Sequence, residues 1–258
     1  MTVVVSVQHS RGGSGATTVA LTLAYNLSMH GRTLYIEADF LNPMIEKHML
    51  SRSIIPRWSN EWITGETSLN ESCIDVSGMF NLASKSLYFL PANSSEGARR
   101  RMEILDAEGD KRILKTLERE KWNADVGPLD YVVIDTPPWM YYTLTCISYI
   151  SNYILYVIRP NIYELSILSD RIENVYSNFI CLVIPIINMF NPDIKNMEKF
   201  EKEFLERIGI KPVKIPYLSE LAVEIDLSRI LDRKNRILNY LVDAVEEVVK
   251  KPRIFESI

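Results

Sequence analysis

The chain reads Ser10-Arg11-Gly12-Gly13-Ser14-Gly15-Ala16-Thr17-Thr18 near its N-terminus, and this glycine-rich stretch decides the fold. Before it, the β-branched residues of segment 3–7 predict a short buried strand. After it, apolar residues at positions 20, 23, 24 and 27 have helical spacing, and Gly31 is placed to end that helix. A strand, a glycine loop and a helix in this order arrange backbone N–H groups around a phosphate.

The loop departs from the usual phosphate-binding pattern at one charged position. That pattern has a lysine that reaches the β- and γ-phosphates, followed by a Ser or Thr whose hydroxyl binds Mg²⁺. Here Ala16 stands at the lysine position, Thr17 keeps the hydroxyl, and Ser10 replaces the first glycine. An engineered Lys→Ala change at position 16 is an alternative that the sequence leaves open. The predicted phosphate-binding residues are Gly12, Gly13, Ser14, Gly15, Ala16, Thr17 and Thr18.

Two other interpretations of the glycine stretch have to be weighed. One is a plain tight turn without a ligand. The other is a dinucleotide-binding turn, since Glu37 and Asp39 follow roughly 20 residues later at the end of a second predicted strand. That interpretation lacks the third glycine, because Thr18 stands at its position. The rest of the chain therefore has to decide.

The second informative segment is the strand that ends on Asp135. Its β-branched run covers 131–135, and Pro137 and Pro138 then force the chain out of the strand. Ligands of open parallel sheets bind outside the carboxyl ends of the strands. An Asp at such an end can hold the water shell of Mg²⁺ opposite Thr17. An ordinary strand-capping Asp is the alternative, and the glycine loop together with Asp39 argues against it.

Length and composition predict one α/β domain over residues 1–258. With 258 residues, 47% of them apolar, the chain can bury one large core. Helical patterns or loops separate the short apolar runs, which are 3–7, 33–36, 87–90, 131–135, 153–158, 180–187 and 213–215. The alternation predicts a Rossmann-like P-loop NTPase domain, a mainly parallel sheet of about seven strands with helices on both faces.

Six segments resemble the ParA/MinD-like ATPases in their order and spacing along nearly the whole chain. These ATPases form the deviant Walker A group, whose phosphate-binding loop carries an additional lysine at its start. The segments are 10–18, 32–39, 63–69 with 87–92, 130–138, 187–188 and 214–217. The resemblance implies ATP or ADP as ligand with Mg²⁺, and a homodimer that forms with nucleotide and docks an effector protein. It further implies a switch that positions or recruits a partner assembly, in plasmid or chromosome partition or at cell-surface machinery.

The resemblance also implies roles for single residues. Arg11 replaces the signature lysine, which reaches across a nucleotide-sandwiched dimer toward the partner's phosphates; Arg keeps the charge and adds a planar fork suited to phosphate. Asp39 positions the attacking water, and Asn188 reads the base. The implied site residues are Arg11 and Asp39 for catalysis, Thr17 and Asp135 for the metal, and Asn188 and Pro216 for the nucleotide beside the glycine loop.

Ala16 bears on turnover and on the branch of the family. Without the lysine in cis, hydrolysis is expected to be weak or absent, so the chain is at most a slow ATPase. A loop of this kind resembles the TadZ/CpaE-like branch of pilus assembly and localisation.

One alternative function is that of a metabolic or metal-inserting ATPase. That class tends to use paired cysteines, and no Cys-x-x-Cys occurs here. Another is a non-catalytic scaffold whose nucleotide site has decayed.

The distribution of charged residues indicates which kinds of partner this protein can bind. The net charge of −4 argues against a chain that coats nucleic acid. Cations at 99–101, 111, 112 and 115 alternate with acids as on a solvated helix, with a DNA or partner patch as the alternative. A second basic group at 229–236 is a candidate for binding non-specific DNA. The tail 250–258 predicts no membrane anchor, because Pro252 interrupts its helix.

Scattered cysteines and the lack of a leader predict a cytoplasmic protein.

Overall fold

The computed structural model describes residues 2–125, 127–138 and 141–219. The basic group at 229–236 and the tail 250–258 lie outside the described residues. Within the described part, no helix is long and apolar enough to cross a bilayer.

The strands form one large sheet and one small hairpin. The strands are β1 Val3–His9, β2 Thr33–Glu37, β3 Ile74–Asp75, β4 Leu87–Leu90, β5 Asn123–Ala124, β6 Gly127–Pro128, β7 Tyr131–Asp135, β8 Tyr153–Ile158, β9 Leu182–Phe190 and β10 Val213–Pro216. The large sheet has the order β10-β9-β8-β1-β7-β2-β4-β3, and β5 pairs with β6. Every neighbouring pair of the large sheet is parallel except β3 with β4.

Helices connect these strands on both faces of the sheet. The α-helices are α1 Ala16–Leu27, α2 Ile45–His48, α3 Ser59–Ile63, α4 Leu69–Ser72, α5 Glu96–Glu103, α6 Ala107–Arg119, α7 Tyr141–Ile150, α8 Ile162–Asn174 and α9 Met197–Ile208. Val5 of β1 packs in one core cluster with α1, whereas Val4 packs in another with α6 and α7. Adjacent residues of a strand point to opposite faces, so a strand covered on both sides is apolar throughout.

The predicted fold class is confirmed, with corrections at its edges. All seven predicted strands exist, but the run expected at 180–187 forms a strand at Leu182–Phe190. The large sheet has eight strands, because the two-residue β3 adds an antiparallel edge too short to leave a periodic signal. Helix α1 ends at Leu27 rather than at Gly31. Gly31 serves a close approach instead, since a Cβ there would lie 2.8 Å from Asp130 Cβ.

The topology brings the candidate residues to one edge of the sheet. Strand β1 lies between β7 and β8, and β7 also pairs with β2. In this register Asp135 is opposite Val7 on one side and opposite Glu37 on the other. The glycine loop after β1 and the acids at the carboxyl ends of β2 and β7 therefore lie side by side, as at the ligand-binding edge of other parallel sheets.

Candidate phosphate-binding site

The glycine loop between β1 and α1 presents a row of unused hydrogen-bond donors. Gly13 and Gly15 have φ angles of 77° and 85°, in the left-handed region that glycine adopts without strain. Gly15 is the N-cap of α1 and supplies no side-chain cap. No backbone N–H from residue 12 to residue 18 donates to another described residue. Free donors at the positive end of a helix dipole form an anion-binding site.

Asp135, at the carboxyl end of β7, has the surroundings expected of a cation ligand. It is buried, and its Oδ2 accepts a hydrogen bond of 3.0 Å from the Tyr35 hydroxyl. Its Oδ1 is buried without a hydrogen-bond partner among the described residues. Burial, followed by the negative charge of Asp39, raises the pKa of Asp135 well above its ordinary value, while the nearby Thr17 hydroxyl lowers it. An unpartnered carboxylate oxygen beside a hydroxyl suits Mg²⁺, which prefers oxygen ligands and retains water.

Asp39 lies close to Asp135 on the loop after β2. Its Oδ1 accepts hydrogen bonds from the backbone N–H groups of Leu41 and Asn42, at 3.3 and 3.1 Å. Burial raises the pKa of Asp39, and these hydrogen bonds together with the charge of His9 oppose that rise. The loop thus holds Asp39 in place through one oxygen. The structure brings Asp39 near Asp135, and their joint role in one site stays a prediction.

Glu37 is a buried residue that links the segments following two strands through hydrogen bonds, a role that sequence reasoning missed. Its Oε1 accepts from the backbone N–H groups of Met44 and Ile45, and its Oε2 accepts from that of Ala92 at 2.9 Å. The carboxylate therefore joins the loop after β2 to the segment after β4. Burial raises its pKa from 4.5 to about 7, although these hydrogen bonds lower it. The signal available in the sequence was an acid at the end of an otherwise apolar strand.

His9, the last residue of β1, is a second residue that sequence reasoning missed. Its Nδ1 lies 2.6 Å from the carbonyl oxygen of Arg11, and its Nε2 lies 3.0 Å from that of Thr136. Carbonyl oxygens only accept, so both contacts are hydrogen bonds when both ring nitrogens carry hydrogen. The imidazole connects the glycine loop to the segment that follows Asp135. The sequence offered one clue, the position of His9 directly before the loop.

Arg11 has a definite position on the outer side of the loop. Its guanidinium stacks over the ring of Tyr163 in α8, 4.3 Å from the ring centroid. The N-terminus of α8 is anchored by Asn161, whose Oδ1 accepts from the Tyr163 N–H at 2.8 Å. A cation–π contact of this kind at an exposed site contributes about 0.5–1 kcal/mol. Arg11 is therefore held weakly, at a place from which a modest competing interaction can displace it.

The two residues implied for the nucleotide base lie at neighbouring strand ends. Asn188 in β9 donates from Nδ2 to the carbonyl oxygen of Ser14 at 2.7 Å, so it touches the glycine loop itself. Pro216 ends β10 and is opposite Phe190 in the register. Ala16, the first residue of α1, is 3% exposed and packs in the core cluster on that face of the sheet. The position of the missing lysine is thus occupied by a buried methyl group.

Comparison with known proteins agrees with this geometry. The family described as "AAA domain" matches residues 2–180. The chain belongs to the AAA domain family. None of the curated proteins matches it.

Three solved structures share the fold of this AAA domain protein. The septum site-determining protein MinD from Pyrococcus horikoshii, complexed with Mg-ADP, has a TM-score of 0.72 at 17% identity, covering 100% of each chain. A putative plasmid partition protein from Borrelia burgdorferi bound to AMPPNP has a TM-score of 0.68 at 19% identity, covering 97% of this chain and 100% of the other. A chain of the MinC:MinD complex from Aquifex aeolicus has a TM-score of 0.73 at 16% identity, covering 96% of each. The ParA/MinD-like resemblance is confirmed, and the TadZ/CpaE-like branch stays a prediction.

The buried Glu37 of this AAA domain predicts a pH dependence of stability. Its folded pKa of about 7 exceeds the ordinary 4.5, so its contribution is fully present below pH 4.5 and is lost as pH rises to about 7. We expect the unfolding free energy of the wild type, measured with urea, to fall by about 3 kcal/mol over this window relative to Glu37→Gln. The variant loses acceptor capacity at every pH, so the slope is the readout. Parallel pH profiles for the two proteins would show that Glu37 stays ionised throughout.

Proposed function

We propose that this chain is a nucleotide-dependent switch that binds ATP or ADP with Mg²⁺, dimerises with ATP and positions or recruits a partner assembly. One observation carries the proposal: the free N–H groups of the 12–18 loop lie at the same sheet edge as the unpartnered Oδ1 of Asp135. Phosphate needs such donors, and its bound cation needs such an oxygen. The likeness to structures holding Mg-ADP, AMPPNP and a MinC partner supports the same function.

The residues of the site then have distinct roles. The N–H groups of residues 12–18 hold the phosphates, while Thr17 and Asp135 hold Mg²⁺, which supplies positive charge when bound. Asp39, fixed by the N–H groups of Leu41 and Asn42, positions the attacking water through its other oxygen. Asn188 and Pro216 flank the base. His9 holds the glycine loop against the segment that follows Asp135.

Hydrolysis is slow in this proposal, because phosphoryl transfer depends on positive charge around the transferred group. Ala16 supplies none, and in this proposal Arg11 supplies its charge to a nucleotide across the dimer. We expect phosphate release that is very slow or undetectable at low protein concentration, rises with protein concentration, and falls further in Asp39→Ala. Brisk release independent of concentration would contradict the proposal.

The proposal is tested most directly by calorimetry with ATP and ADP, with and without Mg²⁺, followed by light scattering of each state. We expect Mg²⁺ to tighten nucleotide binding. We also expect the mass to double with ATP but not with ADP. Asp135→Asn should remove the Mg²⁺ dependence and leave metal-free binding in place. A protein that binds no nucleotide, or that is dimeric without it, would favour the scaffold.

Arg11 gives a separate prediction about the dimer. Arg11→Ala is expected to weaken ATP-dependent association about tenfold, because one charge-assisted contact to phosphate is lost. Sedimentation at several protein concentrations measures the effect. The matched control is Arg52→Ala, which removes another arginine stacked on an aromatic ring, 5.4 Å above Trp58, and should leave association unchanged. Equal association of wild type and Arg11→Ala would exclude the role in trans.

A further inference from the structure

The basic stretch singled out in the sequence divides into paired and unpaired cations. Arg100 pairs with Glu96 at i,i+4, as expected of a solvated helix. Arg101 and Arg112, on α5 and α6, instead line one cleft of about 270 Å³ that α3 completes. The residues lining this cleft are Asn60, Glu61, Thr64, Glu66, Ala98, Arg101, Met102, Ile104, Leu105, Asp106 and Arg112. The expected single solvated face is thus interrupted by a pocket.

Three donor groups of the cleft have no hydrogen-bond partner among the described residues. Arg101 and Arg112 make no ion pair or hydrogen bond within that part of the chain. Asn60 is 7% exposed, and its Oδ1 accepts from the Asn93 N–H at 2.7 Å. Its Nδ2 is buried without a partner. Buried donors are nearly always paired in folded proteins, so an unpaired amide beside two free guanidinium groups points to an acceptor that comes from outside.

The carboxylates of the cleft restrict what that acceptor can be. Glu66 accepts from the Thr64 hydroxyl, and Asp106 caps α6 through the Gly109 N–H. Together with Glu61 they place three negative charges around two positive ones. A polyanion such as DNA would meet these charges along its length and be repelled. A single carboxylate brings one negative charge instead of a row of them, and it can gain bidentate hydrogen bonds from an arginine.

The remaining wall of the cleft is apolar. Met102 and Leu105 line it, and Ile104 beside them is 78% exposed. A cleft of this volume accepts one or two side chains rather than a nucleotide. An apolar side chain next to a carboxylate would cover the exposed Ile104 while the acid binds the arginines.

We propose that this cleft binds an acidic, apolar peptide segment of a partner protein. Arg101 and Arg112 bind a Glu or Asp carboxylate of the segment, Asn60 Nδ2 donates to an oxygen of the segment, and Ile104 contacts its neighbouring apolar side chain. The cleft shares no residue with the 12–18 loop or with Asp135. Peptide binding here therefore goes beyond the proposed nucleotide switch and is measured without nucleotide.

The test is an NMR titration of the whole protein with a capped Leu-Glu-Leu-Leu tetrapeptide, followed at the Asn60 side-chain amide. We expect saturable shifts of that amide, and at least fivefold weaker binding of the capped Leu-Gln-Leu-Leu peptide. Arg101→Gln and Arg112→Gln should each weaken the acidic peptide about fivefold to tenfold. Arg100→Gln, which removes the paired neighbour, should change nothing. Glu66→Gln should tighten binding, since it removes a repelling charge.

Three outcomes would overturn the inference. One is the absence of saturable shifts up to about 10 mM peptide. Another is equal affinity for the Glu and Gln peptides, or an equal loss with Arg100→Gln. The third is binding of a short DNA duplex that shifts the Asn60 amide more than the peptide does, which would make this face a polyanion surface. None of these results depends on whether the phosphate loop binds nucleotide.

Discussion

Gly15→Ala is expected to weaken nucleotide binding about tenfold to a hundredfold. Gly15 has a φ of 85°, and a Cβ there would lie 2.2 Å from Asn188 Nδ2. The variant carries left-handed strain of about 1–2 kcal/mol, and it displaces the Asn188 amide from Ser14 at a cost of about 1 kcal/mol. The loop would escape both costs by moving away from the phosphate-binding conformation. Calorimetry with ATP and Mg²⁺ measures the loss.

The loop contains its own matched controls. Gly12→Ala meets nothing within 4 Å and has no positive φ, so we expect nearly unchanged affinity. Gly13→Ala adds strain without a clash, because its φ is 77° and its surroundings are open. In an Asn188→Ala background, Gly15→Ala should cost less than in the wild type, since the clash is gone. Equal losses at positions 12 and 15 would show that the loop takes another conformation when it binds.

Ala16→Lys is expected to tighten ATP binding by about one to two decades. It restores a charge-assisted contact to phosphate of roughly 1.5–3 kcal/mol. Ala16 is buried in the core at the start of α1, so the lysine stem has to run along apolar surface to bring its ammonium to the loop. ADP should gain less than ATP, because the lysine of such loops reaches the γ-phosphate as well as the β-phosphate.

The control for added bulk at this position is Ala16→Met, which has similar length and no charge. We expect it to lower the midpoint of thermal unfolding as much as Ala16→Lys does, and to leave affinity unchanged or weaker. Tightening by both variants would assign the gain to packing. Unchanged affinity of Ala16→Lys in a folded protein would mean that Arg11 or another residue already supplies the charge.

The sequence by itself determined the fold class and most of the sheet edge. Strands such as β7 and β8 are buried on both faces, so continuous apolar runs marked them at the bounds that the structure shows. The glycine loop, Asp39 and Asp135 could be placed together because parallel strands deliver their carboxyl ends to one side. Strand β3 escaped prediction because two residues are too few to show the alternation of a strand. The end of α1 was misplaced because the glycine at position 31 is required by its close approach to Asp130, which is distant in sequence, and not by the end of the helix.

Only the tertiary structure decided what each polar side chain touches. Glu37 serves as a link because the N–H groups of Met44, Ile45 and Ala92 come from segments up to 55 residues away, a proximity that no local pattern records. The same holds for Asn188, whose amide meets Ser14 across 174 residues. The basic stretch became a cleft because α3 packs against α6 and lines the same pocket as α5. Backbone periodicity is local and is written in the sequence, whereas hydrogen-bond partners and unpaired donors depend on which distant segments the fold brings together.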